Sequence, residues 1–144
     1  MRKLLFITLL STSFLTSSEE TISRWMSDYF KRIHDHIGNE NYEKAQYELE
    51  MGNNNYFRGG RTYEAALLYQ LYGQFYAVQS QYTSAVPWFE KALATEKMPR
   101  IGAQEVRFQL AQTYFMIGKY ENVISLLDEF IRVGERYKLS LIHI

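Results

Sequence analysis

Residues 81–94 read "QYTSAVPWFEKALA" and set Pro87 and Trp88 inside what is otherwise a well-formed amphipathic helix. As an isolated box the pair would point to a ligand pocket, and as part of a repeated unit it would point to a scaffold. Two other stretches decide between these. "NYEKAQYELEMG" (41–52) and "KYENVISLLDEFI" (119–131) superpose on it, with Tyr42, Tyr82 and Tyr120 in one column. Ala45, Ala85 and Val123 make the second column, and Leu49, Phe89 and Leu127 the third. A small residue three places after the tyrosine and a large one four places later is what close helix packing needs. The tyrosines stand 40 and then 38 residues apart, a repeat with a period of about 34 plus loop insertions. In this register Pro87 lies about one turn into the second helix of a pair. At most one backbone hydrogen bond is lost there, so the cost falls below the roughly 3 kcal/mol of an interior proline. Trp88 precedes the inward Phe89 and is expected to edge toward a neighbouring helix or solvent.

Helical periodicity runs through most of the chain. Ile22, Trp25, Met26, Tyr29, Phe30, Ile33 and Ile37 follow the i, i+3, i+4, i+7 rule, and no stretch of comparable length alternates with the strand period. Breaks fall at "IGNEN" (37–41), "GNNNYFRGGR" (52–61), "VQSQ" (78–81), "KMPRIGA" (97–103) and "MIGK" (116–119), each carrying glycine, proline or clustered amides. The fold class that follows is all-α, six helices in three pairs.

On these residues the chain resembles the tetratricopeptide repeat family. The middle copy carries Tyr69, Tyr72, Gly73 and Tyr76 on its first helix, then Tyr82, Ala85, Phe89 and Ala92 on its second. The last copy carries Leu110, Ala111 and Tyr114, then Gly118, Tyr120, Val123, Leu127 and Phe130. The first departs from the pattern, with Arg32 and His36 where apolar residues are usual and Gly52 in place of the later alanine. The resemblance implies a right-handed α-solenoid over residues 22–138, with copies near 25–53, 66–99 and 104–137. A narrower similarity, of "LLYQLYGQFYAVQSQYTSAVPWFEKALA" and "VRFQLAQTYFMIGKYENVISLL", is to bacterial periplasmic repeat proteins that accompany TonB, ExbB and ExbD systems. It implies export and a protein partner in the envelope.

The start of the chain agrees with export. "MRKLLFITLLSTSFLTSSEE" has Arg2 and Lys3, an apolar core from Leu4 to Leu15, and small residues before Glu19, the three parts of a secretory signal over residues 1–18. Its apolar core is shorter than the roughly 20 residues of a spanning helix, so no stable membrane insertion is expected after cleavage. At the other end "LSLIHI" (139–144) continues no earlier pattern and matches a translated sequencing adapter, so these residues are expected to be a non-native tail. The 16 basic and 16 acidic residues balance and are mixed along every segment, which argues against nucleic acid as partner. The absence of cysteine excludes disulfides and thiolate chemistry.

Catalysis needs a nucleophile, base or metal held with an orienting group. The densest cluster is His34, Asp35 and His36, but residues i and i+2 of a helix point about 200 degrees apart, so the two histidines do not share a metal. No nucleophile elbow or phosphate loop is present. The expectation is no enzyme and no cofactor. The tyrosine stripe of 69, 72 and 76 reads as core.

Binding in the resembled family commonly uses the concave face made by the first helix of each pair. Carried over by register, that face presents Leu67, Gln70, Gln74 and Val78 in the middle copy, and Glu105, Phe108, Gln112, Phe115 and Met116 in the last. Its glutamines and apolar groups replace the lysine and asparagine of a carboxylate clamp. They suit an extended peptide with apolar anchors; packing of Phe115 and Met116 under further repeats is the other reading. The function expected is an exported, non-catalytic, periplasmic adaptor for a protein or peptide partner. Open alternatives are the sensor portion of a longer signalling protein, or an accessory domain of an envelope enzyme.

Overall fold

The computed structural model describes residues 22–142. The expected leader over 1–18 and the last two residues, His143 and Ile144, lie outside the described residues. Among the described residues the chain is all-helical, with no strand: α1 (Arg24–Gly38), α2 (Tyr42–Met51), α3 (Tyr63–Val78), α4 (Tyr82–Ala94), α5 (Arg100–Met116) and α6 (Tyr120–Ile142). Each of the three column tyrosines is the first residue of the second helix of its pair.

The turns within the pairs repeat as closely as the sequence does. Glu40, Ser80 and Gly118 all take left-handed backbone, with φ of 57, 61 and 77 degrees. The next residue then closes the helix behind it. Asn41 N–H donates to the His36 carbonyl at 2.8 Å, Gln81 N–H to Tyr76 at 2.9 Å and Lys119 N–H to Tyr114 at 2.9 Å. This is a six-to-one helix ending with its left-handed cap. It recurs in step with the tyrosines, so the repeat read in the side chains is also a repeat of the backbone.

Packing follows chain order: α1 on α2, α3 on α4, α4 on α5 and α5 on α6, with α1 and α2 also against α3. Helix α3 is central and apolar nearly all round, and residues Ala65 to Phe75 are buried without a break. A helix apolar on every side is stable only when covered on every side. Its start is fixed by Thr62, whose hydroxyl accepts from Ala65 N–H at 3.2 Å, a cap worth about 1 kcal/mol. At Gly73 the backbone of α3 meets the ring of Phe89 on α4, leaving no space for a Cβ.

The tyrosine stripe is core at Tyr69 and Tyr72, with Tyr76 half-buried. Trp88 packs against the other helix of its own pair, stacked on Tyr72 at 4.0 Å and 8 degrees, an offset of rings worth about 0.5–1.5 kcal/mol. Pro87 sits inside α4, which runs unbroken through it.

Three boundaries differ from expectation. The stretch 97–103 is not all break: Pro99 (φ −53 degrees, ψ 151 degrees) caps α5, and Gly102 and Ala103 lie within that helix, because proline bars a helix behind it and permits one ahead. Residues Gly52–Tyr56 form a π-helical turn that continues α2, closed by Phe57 N–H on the Gly52 carbonyl at 3.0 Å. Helix α6 continues to Ile142, past the boundary drawn at residue 138.

Candidate functional site

The middle-copy half of the expected concave face is not a surface. Leu67, Gln70, Gln74 and Val78 are all buried, and the expectation that they present a partner-binding face is corrected. The reason is the central place of α3, which has α1 and α2 on one side and α4 on the other. Gln70 also reaches across to α5, donating from Nε2 to Oε1 of Gln109 at 3.1 Å. The amides expected to read a peptide backbone are thus used inside the protein. Gln74 is fully buried with neither amide atom hydrogen-bonded, and Gln112 Oε1 is likewise buried without a partner.

The last-copy half fares differently. Phe108 and Phe115 are exposed, and Glu105, Gln112 and Met116 half-buried. Phe108 lies in an apolar groove of about 390 Å³ with Ile101 and Phe130, rimmed by Arg100, Gln104 and Glu105. Arg107 of α5 pairs with Glu129 of α6 at 3.2 Å and holds the two walls together. Phe115 stands apart, its ring edge-on to Tyr120 at 5.6 Å.

The repeat register explains why this groove is open. Phe89 and Ala92 of α4 are fully buried, 0% exposed, and the Phe89 ring meets Gly73 of α3. Their column-mates on α6, Leu127 and Phe130, are 39% and 40% exposed. Val86 and Leu93 pack against the core, whereas their column-mates Ile124 and Ile131 are exposed. Tyr120, Ile124, Leu127 and Ile131 therefore form an uncovered seam at spacings of four, four minus one, and four, the spacing that pairs helices. Beside this seam, about a quarter turn round the helix, Val123 and Leu126 pack against the core. An apolar stripe wider than the packed side leaves α6 with surface for a further helix. Reading α6 from its inward columns alone missed this, although Ile124 and Ile131 show the outer seam in the sequence.

The α4–α5 contact also shows what the column of Asp128 does when covered. Its column-mate Glu90 accepts a hydrogen bond from the Tyr114 hydroxyl. Burial first, and then this carboxylate, push the Tyr114 phenol up to about 12. On α6 the seam is flanked by Glu121, Asp128 and Glu135 at heptad spacing, an acidic edge.

His34 and Asp35 stand 3.8 Å apart on α1, and among the described residues no group of three or more His, Asp or Glu side chains is placed to hold a metal ion. Among the described residues no helix is long and apolar enough to cross a membrane. Comparison of the chain with protein-family models, with curated proteins and with solved structures found no match.

Proposed function

We propose that the chain is an exported, non-catalytic helical-repeat adaptor, a short right-handed α-solenoid of three tetratricopeptide-like pairs, that holds a protein partner in the bacterial envelope. The observation that carries the reading is the uncovered seam of α6 with the groove beside it. In the same columns one repeat earlier Phe89 is buried and Tyr82, Val86 and Leu93 pack against the core, and repeat arrays bury each unit only through its neighbours. The partner surface in this reading is the exposed face of α6 with the groove beside it, built from Phe108, Ile101, Ile124, Leu127 and Ile131. The buried residues of α3 have no part in it.

The test is site-specific photo-crosslinking in the envelope with a crosslinker at residue 127, on the wild-type background and on an Ile124→Glu/Phe108→Glu background. Both positions are exposed, so the helical circular dichroism is expected to stay unchanged. A discrete crosslinked partner lost on the double-variant background supports the assignment. Equal crosslinking on the two backgrounds refutes it.

A further inference from the structure

Away from the α6 seam, α1 and the π-helical turn leave two exposed aromatic rings, Trp25 and Tyr56, against the buried Tyr29. Trp25 and Tyr29 are four residues apart on α1 and share one face, and the π-helical turn Gly52–Tyr56 swings Tyr56 onto both. The ring centroids lie 5.6 Å apart for Trp25 and Tyr56, 6.1 Å for Tyr29 and Tyr56, and 6.3 Å for Trp25 and Tyr29. The planes are tilted by 66, 78 and 51 degrees, so the rings meet as a corner, not as a stack. Trp25 is 52% exposed and Tyr56 54%, and a cavity of about 420 Å³ lies against them.

The charges around this corner decide what it accepts. Arg32 is held by Glu48 through two hydrogen bonds, of 2.9 and 3.4 Å, and its guanidinium lies 5.4 Å from the centre of the Tyr29 ring. The aromatic surface thus already carries one cation, and that cation is already neutralised. Asp28 lines the same cavity, and its carboxylate acts on Arg32, one helical turn away, through space. With Arg32 and Glu48 cancelling, the cavity keeps one net negative charge. An anion finds no open counter-charge there. A primary ammonium needs three acceptors, and the Glu48 carboxylate is already engaged with Arg32. A cation without N–H groups needs only ring faces and a nearby negative charge.

We propose that this corner binds a quaternary ammonium group, with the exposed rings of Trp25 and Tyr56 facing its methyl groups, the buried Tyr29 backing them and Asp28 supplying the counter-charge. The π-helical turn is the device that makes it. Gly52 lets α2 run close enough to α1 for the turn to present Tyr56, since a Cβ at Gly52 would stand 2.6 Å from the Tyr29 hydroxyl and 3.1 Å from Leu68. Such turns inside helices are frequent at functional sites.

The test uses the full chain and tetramethylammonium chloride, followed by the two indole N–H signals in proton–nitrogen correlation spectra, with Trp25→Phe to assign them. Titration at constant ionic strength is expected to move the Trp25 signal, with a Kd on the order of millimolar, and to leave that of Trp88 in place. Tyr56→Leu is expected to weaken binding roughly twofold to fivefold, and Asp28→Asn roughly fivefold at low salt. Trp25, Asp28 and Tyr56 are exposed, and circular dichroism checks that the variants fold. Choline chloride and phosphatidylcholine vesicles, run side by side, assign the natural ligand as a free solute or a lipid headgroup according to which one moves the signal. An equal response to uncharged tert-butanol, no loss with Asp28→Asn, or the same movement of both indoles overturns the proposal.

Discussion

Gly73→Ala tests the packing on which the whole arrangement depends. A Cβ at residue 73 would stand 2.5, 2.6 and 2.8 Å from Cε1, Cδ1 and Cζ of Phe89. Carbon atoms at their best separation are about 3.5–4.0 Å apart, so the overlap is about 1 Å. The obstacle is a flat ring that is itself fully buried, with no soft end to swing aside. Overpacking of this kind costs about 1–3 kcal/mol, and the upper end applies here. Replacing an interior helical glycine by alanine returns about 1 kcal/mol. The net expectation is a loss of about 2 kcal/mol, which at a urea dependence of about 2 kcal/mol per molar moves the midpoint down by roughly 1 M. Urea titration followed by far-ultraviolet circular dichroism measures it. The repeat supplies its own control, because the third copy has Ala111 and Leu127 in the columns of Gly73 and Phe89. Phe89→Leu alone should destabilise by about 1–2 kcal/mol through the space it leaves. Combined with Gly73→Ala it should recover at least about 1 kcal/mol relative to the sum of the two. A single Gly73→Ala variant that gains stability like any helical glycine, or a double variant that is simply additive, refutes the close approach of α3 and α4.

Other outcomes follow from single sites. Ser80→Gly should raise stability by about 0.5–1 kcal/mol, because Ser80 holds a φ of 61 degrees that costs a non-glycine residue more than the entropy glycine loses on folding; a lower urea midpoint would contradict this. Gln74→Met should stabilise by about 1–2 kcal/mol, since both buried amide atoms of Gln74 lack partners and a thioether of similar length does not need them; a clear loss of stability would mean the amide is satisfied. Stability should hold up to about pH 10 and fall between there and pH 12. Burial raises the phenols of Tyr29 and Tyr114 to about 12 and that of Tyr72 in the same direction. Above pH 10 the unfolded chain releases protons that the folded one keeps, which favours unfolding. Urea midpoints against pH measure the slope, and Tyr72→Phe should flatten it.

The fold was legible because the signals that define it are local. Glycine, proline or clustered amides mark the turns, and Tyr42, Tyr82 and Tyr120 each begin the second helix of a pair. The candidate surface was less legible because it depends on what covers what. Gln70 and Gln74 occupy the same columns as Phe108 and Gln112, yet α3 has neighbours on both sides, and its glutamines are interior. No pattern in α3 alone carries that information. The aromatic corner was hidden for a different reason. Trp25 joined a stripe that looked like core, and its partner Tyr56 lies in a stretch of glycine and asparagine that reads as a break. Only the π-helical closure at Phe57 brings the two rings together.

The exposed face of α6 is not a plain copy of the corresponding face of α4. Ala92 is fully buried, whereas Phe130 in the same column projects into the groove beside Phe108. Gln70, which bonds to Gln109 of α5, is replaced in its column by Phe108. A helix resting there therefore meets a phenyl ring where α5 meets an amide, with the ring of Phe130 beside it. It needs small residues opposite Phe130, an apolar residue where α5 has Gln109, and basic groups or hydroxyl donors along the edge set by Glu121, Asp128 and Glu135. A second copy of the chain meets these needs poorly. Antiparallel pairing of two α6 helices sets one acidic edge against the other, and like charges held side by side are destabilising. The differences between the α4 and α6 columns, more than their likeness, thus set what can rest on α6: an amphipathic helix, small at its centre and basic along one edge.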